Sequence, residues 1–299
     1  MIRSPTYSSP ISWWSLRREL SAGWRLKVSA LLVSSLVGGL LAGGLCGSIG
    51  MLCYRLRLMT MAFAMAHAAL AGSALALAAG SEATSTAMIL ALATAMVLGP
   101  LADRFGIPLD LMSMILFSTY NALTFIFIVL SPGPALMTES VGQLLWGSIL
   151  AIRPGYIAAL SAAVLASAVF LALFWGRINP ILFDPRLAEA EGVNVKLYRY
   201  AILLLAGVIT TLALRLTGGF LVFSLLYLPA ASSLQLQSSM KKLVLSAWVI
   251  GSASAAAGLG LSFLLDLPAG SCIAIAAAII FLGSAAYSRM RAWSGVEGP

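Results

Sequence analysis

A single histidine, His67, stands about ten residues into an apolar stretch that begins just after Arg55 and Arg57, and the chain carries no other histidine. At a helical rise of about 1.5 Å per residue, that places an imidazole about 15 Å from the basic flank, half-way through a hydrocarbon core roughly 30 Å thick. An ionisable group at that depth is costly and commonly has a function. A neutral imidazole can offer a lone pair to a metal ion, or it can simply hydrogen-bond to a neighbouring helix. On the residue alone both readings stay open. Met59, Met61 and Met65 flank it, and thioethers favour Cu(I). Met65, however, projects away from the His67 face, and methionine is also ordinary packing filler.

Other polar groups at membrane depth are few: Ser118, Tyr120 and Asn121 in one apolar stretch, Ser224 and Tyr227 in another. Each suits the lining of a wet pathway, and each equally suits a helix-to-helix hydrogen bond. Between Arg177 and Lys196 runs a charged, non-spanning stretch with Asp184, Arg186, Glu189 and Glu191, opening with Asp184-Pro185 as a helix start would. A short charged helix between spans suits docking on a cytoplasmic partner; the alternative is a solvated loop. Glu139, between residues 131 and 154, is expected on the outer side.

The elements that must position these groups follow from composition. Hydrophobic residues make up 61% of the 299-residue chain and charged residues 9%, and the mean hydropathy is +0.99. Soluble proteins lie far from those values, so this is a polytopic membrane protein. Apolar runs near 28–52, 58–80, 84–102, 110–131, 155–176, 199–232 (one segment or two), 243–265 and 269–288 predict an all-α bundle of eight or nine spans. The ten-residue alternation of an outer-membrane barrel is absent. Residues 1–27 form a basic, aromatic tail with Trp13, Trp14 and Trp24 as an interfacial anchor, 28–289 the membrane domain and 290–299 a short tail.

The net charge of +8 comes from Lys and Arg at helix ends, so it reports orientation and not nucleic acid. Placing Arg55, Arg57, Arg104, the stretch Arg177 to Arg199, Lys241, Lys242, Arg289 and Arg291 in the cytoplasm gives one self-consistent topology. The basic N-terminal tail breaks this pattern: either it is an interfacial helix on the opposite side, or the span count is off by one. No Asp or Glu lies convincingly inside a span, which argues against a proton-coupled carrier. One histidine without a buried acid does not supply an intramembrane hydrolase either. An uncoupled channel or secondary transporter remains the alternative class. No GxxxxGK[ST] occurs, so nucleotide chemistry must come from a partner.

Gly39, Gly43 and Gly47 recur at four-residue spacing, as do Ala64, Ala68 and Gly72 in the next span. Such small faces let backbones approach closely, so the first two helices are expected to pack together. Cys46, Cys53 and Cys272 show no CxxC spacing and read as small core residues. The run Leu41-Ala-Gly-Gly-Leu-Cys46 is a poor lipoprotein box, and 28–52 is too long for a signal-peptide core.

Four separated segments carry a family resemblance. The run from Arg57 through Leu-Met-Thr-Met-Ala-Phe-Ala-Met-Ala to His67 and on to Gly72 resembles the second helix of metal-uptake ABC permeases of the zinc, manganese and iron class. Phe183-Asp-Pro-Arg-Leu-Ala-Glu-Ala-Glu-Gly192 is similar to that family's cytoplasmic loop. Gly218-Gly-Phe-Leu-Val-Phe-Ser-Leu-Leu-Tyr-Leu-Pro229 resembles its Gly-rich helix ending in Pro. Leu265-Asp-Leu-Pro268-Ala-Gly270 matches the turn before its last helix, and Leu145-Trp-Gly147-Ser148 is a weaker fifth match. Each segment is weakly specific; their common order along the chain is the strong signal.

The resemblance implies the transmembrane subunit of an ATP-driven importer in a bacterial cytoplasmic (inner) membrane. It implies two permease copies, or one with a paralogue, an ABC ATPase inside binding the ATP, and a solute-binding protein outside. It implies zinc, manganese or iron as cargo, no cofactor bound by this chain, His67 at the ion pathway, and a coupling loop at about 177–197. There Asp184, Pro185, Arg186, Leu187, Glu189 and Gly192 would meet the ATPase. The family pattern has an acid four residues before the histidine, on the same helical face. This chain has Phe63 there, with Ala62, Ala66 and Ala71 where the family has Gly, Ser and Pro. Phe63 offers no ligand and one imidazole holds a divalent ion weakly. Three explanations follow: a second imidazole across a dimer axis, a paralogous partner carrying the acid, or a different cargo such as Cu(I) or a metal complex.

Overall fold

The computed structural model describes residues 13–131, 145, 147, 154–219 and 222–293. Ten helices are seen among the described residues: α1 (Trp13–Arg55), α2 (Met59–Ala79), α3 (Ala83–Phe105), α4 (Leu109–Leu130), α5 (Pro154–Phe183), α6 (Pro185–Ala190), α7 (Val195–Thr217), α8 (Val222–Leu236), α9 (Met240–Leu265) and α10 (Ala269–Trp293). Eight are long and apolar enough to cross a membrane, counting Leu32–Arg55 of α1. α8, at 15 residues, is only about 22 Å long and falls short of a full crossing.

Apolar runs place the spans, and local chemistry sets their ends. α2 stops at Gly80, whose φ of 66° is left-handed backbone that a residue with a Cβ adopts only under strain. Two residues on, Glu82 caps α3 by accepting from Thr84 N at 3.0 Å and Ser85 N at 2.6 Å. Those bonds favour the carboxylate and lower the Glu82 carboxyl to about 2. The stretch 199–232 is two helices, divided after Thr217 where the chain opens at Gly218.

The sequence places the start of the coupling loop near residue 177, but α5 continues to Phe183. It stops where Asp184 turns to extended backbone before Pro185, since a residue ahead of proline disfavours helix. α1 also runs unbroken from Trp13, so no break in secondary structure marks residue 28.

The glycine stripe of α1 is a packing face, but its partner is α9 and not α2. An added Cβ at Gly43 would collide with the Gly251 carbonyl, so the two backbones touch where no side chain fits. α2 turns away from α1 through the tight Leu56–Leu58 connection, in which Arg57 takes a φ of 57°. Its own small face meets α3, where a Cβ on Gly72 would lie 2.8 Å from Ala87 Cα. α2 packs against α3, α4 and α7 and is buried along most of its length. α4 instead presents Leu111, Ile115, Ile126, Val129 and Leu130 outward. The histidine-bearing helix is therefore central, and the helices around it turn apolar faces to lipid or to another subunit.

Candidate functional site

His67 lies eight residues into α2 and is 2% exposed. Its Nδ1 donates to the Phe63 carbonyl at 3.1 Å. A carbonyl only accepts, so this bond puts the proton on Nδ1 and leaves Nε2 with the lone pair. That nitrogen is the atom able to ligate a metal ion.

Aromatic rings surround the imidazole. Phe63, one turn earlier on α2, has its ring centroid 4.9 Å away. Phe117 of α4 meets it edge-on at 4.4 Å, and Phe223 of α8 lies at 6.1 Å. Phe63 also touches the other two phenylalanines, lying 4.7 Å from Phe117 and 4.8 Å from Phe223. Phe223 in turn stacks on Tyr227 at 5.9 Å. Beside this cluster a cavity of about 260 Å³ is lined by Met59, Thr60, Phe63, Met114, Phe223, Leu226 and Tyr227. Thr60 Oγ1 donates to Asp110 Oδ1 at 2.6 Å, tying the first turns of α2 and α4. Phe63 and Phe223 thus belong both to the cavity wall and to the packing around His67. Among the described residues no three His, Cys, Asp or Glu side chains gather as a metal-ligating group.

The remaining polar residues separate in space. Tyr120 hydrogen-bonds to Thr94 Oγ1 at 2.7 Å; because Thr94 donates to Leu90 O, the phenol supplies that proton, and the bond fastens α4 to α3. Asn121 Oδ1 is buried without a hydrogen-bond partner. Ser118 faces outward. Ser224 is buried and partnered, and Tyr227, 40% exposed, sits at the cavity. Met61 and Met65 are buried in the core, and only Met59 of the three flanking methionines reaches the cavity. Glu139 and Ser148 lie outside the described residues.

In the charged stretch between α5 and α7, Asp184 caps α6 by accepting from Arg186 N at 2.8 Å and Leu187 N at 3.4 Å. Ala188 is buried while Arg186, Leu187 and Glu189 face out, and Gly192 carries the chain onward at a φ of 83°. α6 is therefore held from beneath with its outer face exposed. Sequence reasoning missed Phe117, Phe223 and Met114, which come from helices distant in the chain and carry no local pattern.

The order of these elements and the segments quoted above meet in one result: the profile described as the ABC 3 transport family matches residues 29–288. The chain belongs to that family. Among its relatives is the manganese transport system membrane protein MntC of Listeria monocytogenes, 33% identical over 169 residues, 56% of this chain and 58% of that one. The manganese import system permease protein ScaB of Streptococcus parasanguinis is 30% identical over 56% of this chain and 59% of its own. The high-affinity zinc uptake system membrane protein ZnuB of Haemophilus influenzae is 28% identical over 46% and 53%. In each case the chain spans less than two thirds of the relative's length. A solved structure of PsaBC from Streptococcus pneumoniae in complex with Fab superposes with a TM-score of 0.75 and 24% identity, covering 87% of this chain and 95% of that one. At that identity the likeness speaks for the fold alone: an all-α, multi-pass ABC permease bundle.

Proposed function

We propose that this chain is the membrane-spanning subunit of an ATP-driven importer for a transition-metal ion in a bacterial cytoplasmic membrane. Family membership across residues 29–288 carries this reading, and relatives named for manganese, zinc and iron transport support the cargo class. Two copies, or one with a paralogue, enclose the pathway; an ABC ATPase docks on α6 from the cytoplasm and a solute-binding protein delivers cargo outside. The chain itself hydrolyses nothing.

His67 Nε2 is the ligand this chain contributes to the pathway. A single imidazole binds an ion briefly, which suits a step that must release it. Phe63, Phe117 and Phe223 exclude water around it, and their ring faces attract a cation without ligating it. Phe63 and Phe223 move aside for cargo to pass between the cavity and the imidazole. A second cargo, Cu(I), is favoured by one observation: Met59 and Met114 line the same cavity, and thioethers suit that ion.

The assay is ATP hydrolysis by the cognate ATPase, reconstituted with this permease and its binding protein. Stimulation by metal-loaded binding protein is the expected result. An ATPase rate indifferent to the permease would overturn the importer reading.

A further inference from the structure

The cytoplasmic end holds a cavity of about 760 Å³ between the α1–α2 connection and the α5–α6–α7 elbow. Four arginines line it: Arg55, Arg57, Arg186 and Arg199. They come from three separate stretches of chain. Arg55 Nε donates to the Leu182 carbonyl at 3.2 Å. Arg199 Nε is buried with no acceptor at all. Among the described residues no carboxylate pairs with Arg57, Arg186 or Arg199. The one acid in the wall, Asp184, has its Oδ1 occupied by backbone N–H groups at the start of α6.

Four guanidiniums facing one space repel each other, and a buried guanidinium nitrogen without an acceptor is costly. Such an arrangement is complete only when an oxyanion enters it, and a guanidinium fork matches a carboxylate with two parallel bonds. The cavity opens beside the outer face of α6. Phe183, 74% exposed, rims it, and Leu187, 56% exposed, stands on the adjoining helix face. An apolar knob beside a basic socket is the make-up of a protein interface, with aromatic and arginine anchors together.

We infer that this socket receives an acidic surface element of the ATPase subunit, whose carboxylates pair with Arg57, Arg186 and Arg199 behind α6. The inference rests on the importer reading and deepens it: α6 supplies the apolar contact, and the socket supplies a charge-paired lock that sets register. Because α1, the α1–α2 connection, α5 and α7 all reach the socket, a carboxylate seated there connects the ATPase to the turn that leads into α2 as well as to α6.

The test is the affinity of the purified permease for its cognate ATPase in phosphatidylcholine nanodiscs, between about 50 and about 500 mM salt, where screening lengths fall below the size of the socket. The variants are Arg57→Gln/Arg186→Gln/Arg199→Gln and, as a single exposed change that spares the membrane bundle, Arg186→Glu. Expected are wild-type binding that weakens with salt, triple-variant binding at least about tenfold weaker at low salt with a flattened salt dependence, and Arg186→Glu intermediate. Wild-type affinity in both variants would overturn the inference while leaving the importer intact. An arginine effect seen only when phosphatidylglycerol is added would overturn it in favour of a lipid headgroup. Failure of the wild type to bind the ATPase would overturn the importer reading and the inference together.

Discussion

Replacing Phe63 with Asp restores the acid of the family pattern one turn from His67, and the surrounding rings set what that change does. Phe63 packs at 4.9, 4.7 and 4.8 Å from the rings of His67, Phe117 and Phe223. Each aromatic pair is worth about 0.5–1.5 kcal/mol, so losing three removes about 1.5–4.5 kcal/mol. An ionised carboxylate at mid-membrane depth adds about 2.5–3.5 kcal/mol, part of which the opened space relieves by admitting water. The net loss is about 4 kcal/mol, a drop in melting temperature of order 10 °C. The His67 Nδ1 bond goes to a backbone carbonyl and survives, so Nε2 stays available beside the new oxygen. Zn(II) or Mn(II) at about a hundred times its dissociation constant then returns about 2.7 kcal/mol. Thermal unfolding of the purified protein, with and without divalent metal, reads both effects. Phe63→Leu serves as the apolar control, with a smaller loss and no metal response. Two results would refute the reasoning: Phe63→Asp melting with the wild type, or divalent metal stabilising the wild type as strongly as the variant.

Other expected outcomes follow from particular contacts. Gly43→Leu drives a side chain into the Gly251 backbone and should abolish the folded protein in detergent, while Gly43→Ala costs about 1–3 kcal/mol in an unfolding titration. Tyr156 donates to the Leu212 carbonyl at 2.6 Å across α5 and α7, so Tyr156→Phe should lose about 1 kcal/mol by the same titration. Glu82 has its carboxyl lowered to about 2 by the cap of α3. Its contribution is therefore full above the ordinary carboxylate value and is lost as pH falls toward about 2. Hydrogen exchange at Thr84 and Ser85 should rise across that acid range in the wild type and be raised already at neutral pH in Glu82→Gln. Asp184→Ala with Glu189→Ala removes the cap of α6 and should cost about 1 kcal/mol while the membrane bundle stays folded and ATP hydrolysis is uncoupled from uptake; wild-type coupling would remove α6 from the coupling role.

Much of the fold was legible because apolar length and basic flanks are local signals. Each long run became a helix, and Asp184-Pro185 marked the start of α6. The doubtful stretch 199–232 divides at Gly218, where the sequence offered two glycines. What was not legible was who meets whom. The Gly39, Gly43 and Gly47 stripe announced a close contact but not its partner, and proximity in sequence pointed to α2 where the fold supplied α9. The same limit hid the site. His67 and Phe63 stood out as a departure from a pattern within one helix, but Phe117 and Phe223 join them from α4 and α8, and an apolar residue in an apolar helix carries no mark. Arg55, Arg57 and Arg199 read as orientation signals one by one and Arg186 as part of the coupling loop; that all four line one cavity is legible only in the fold.

The most direct test of the central claim is ATP-dependent metal uptake into vesicles carrying the permease, its ATPase and its binding protein, scanning Zn, Mn, Fe and Cu for the wild type and His67→Ala. The account predicts uptake of one metal by the wild type, most of it lost in His67→Ala while the complex still assembles. Equal uptake by the two proteins, or none of any metal by the wild type, would contradict it.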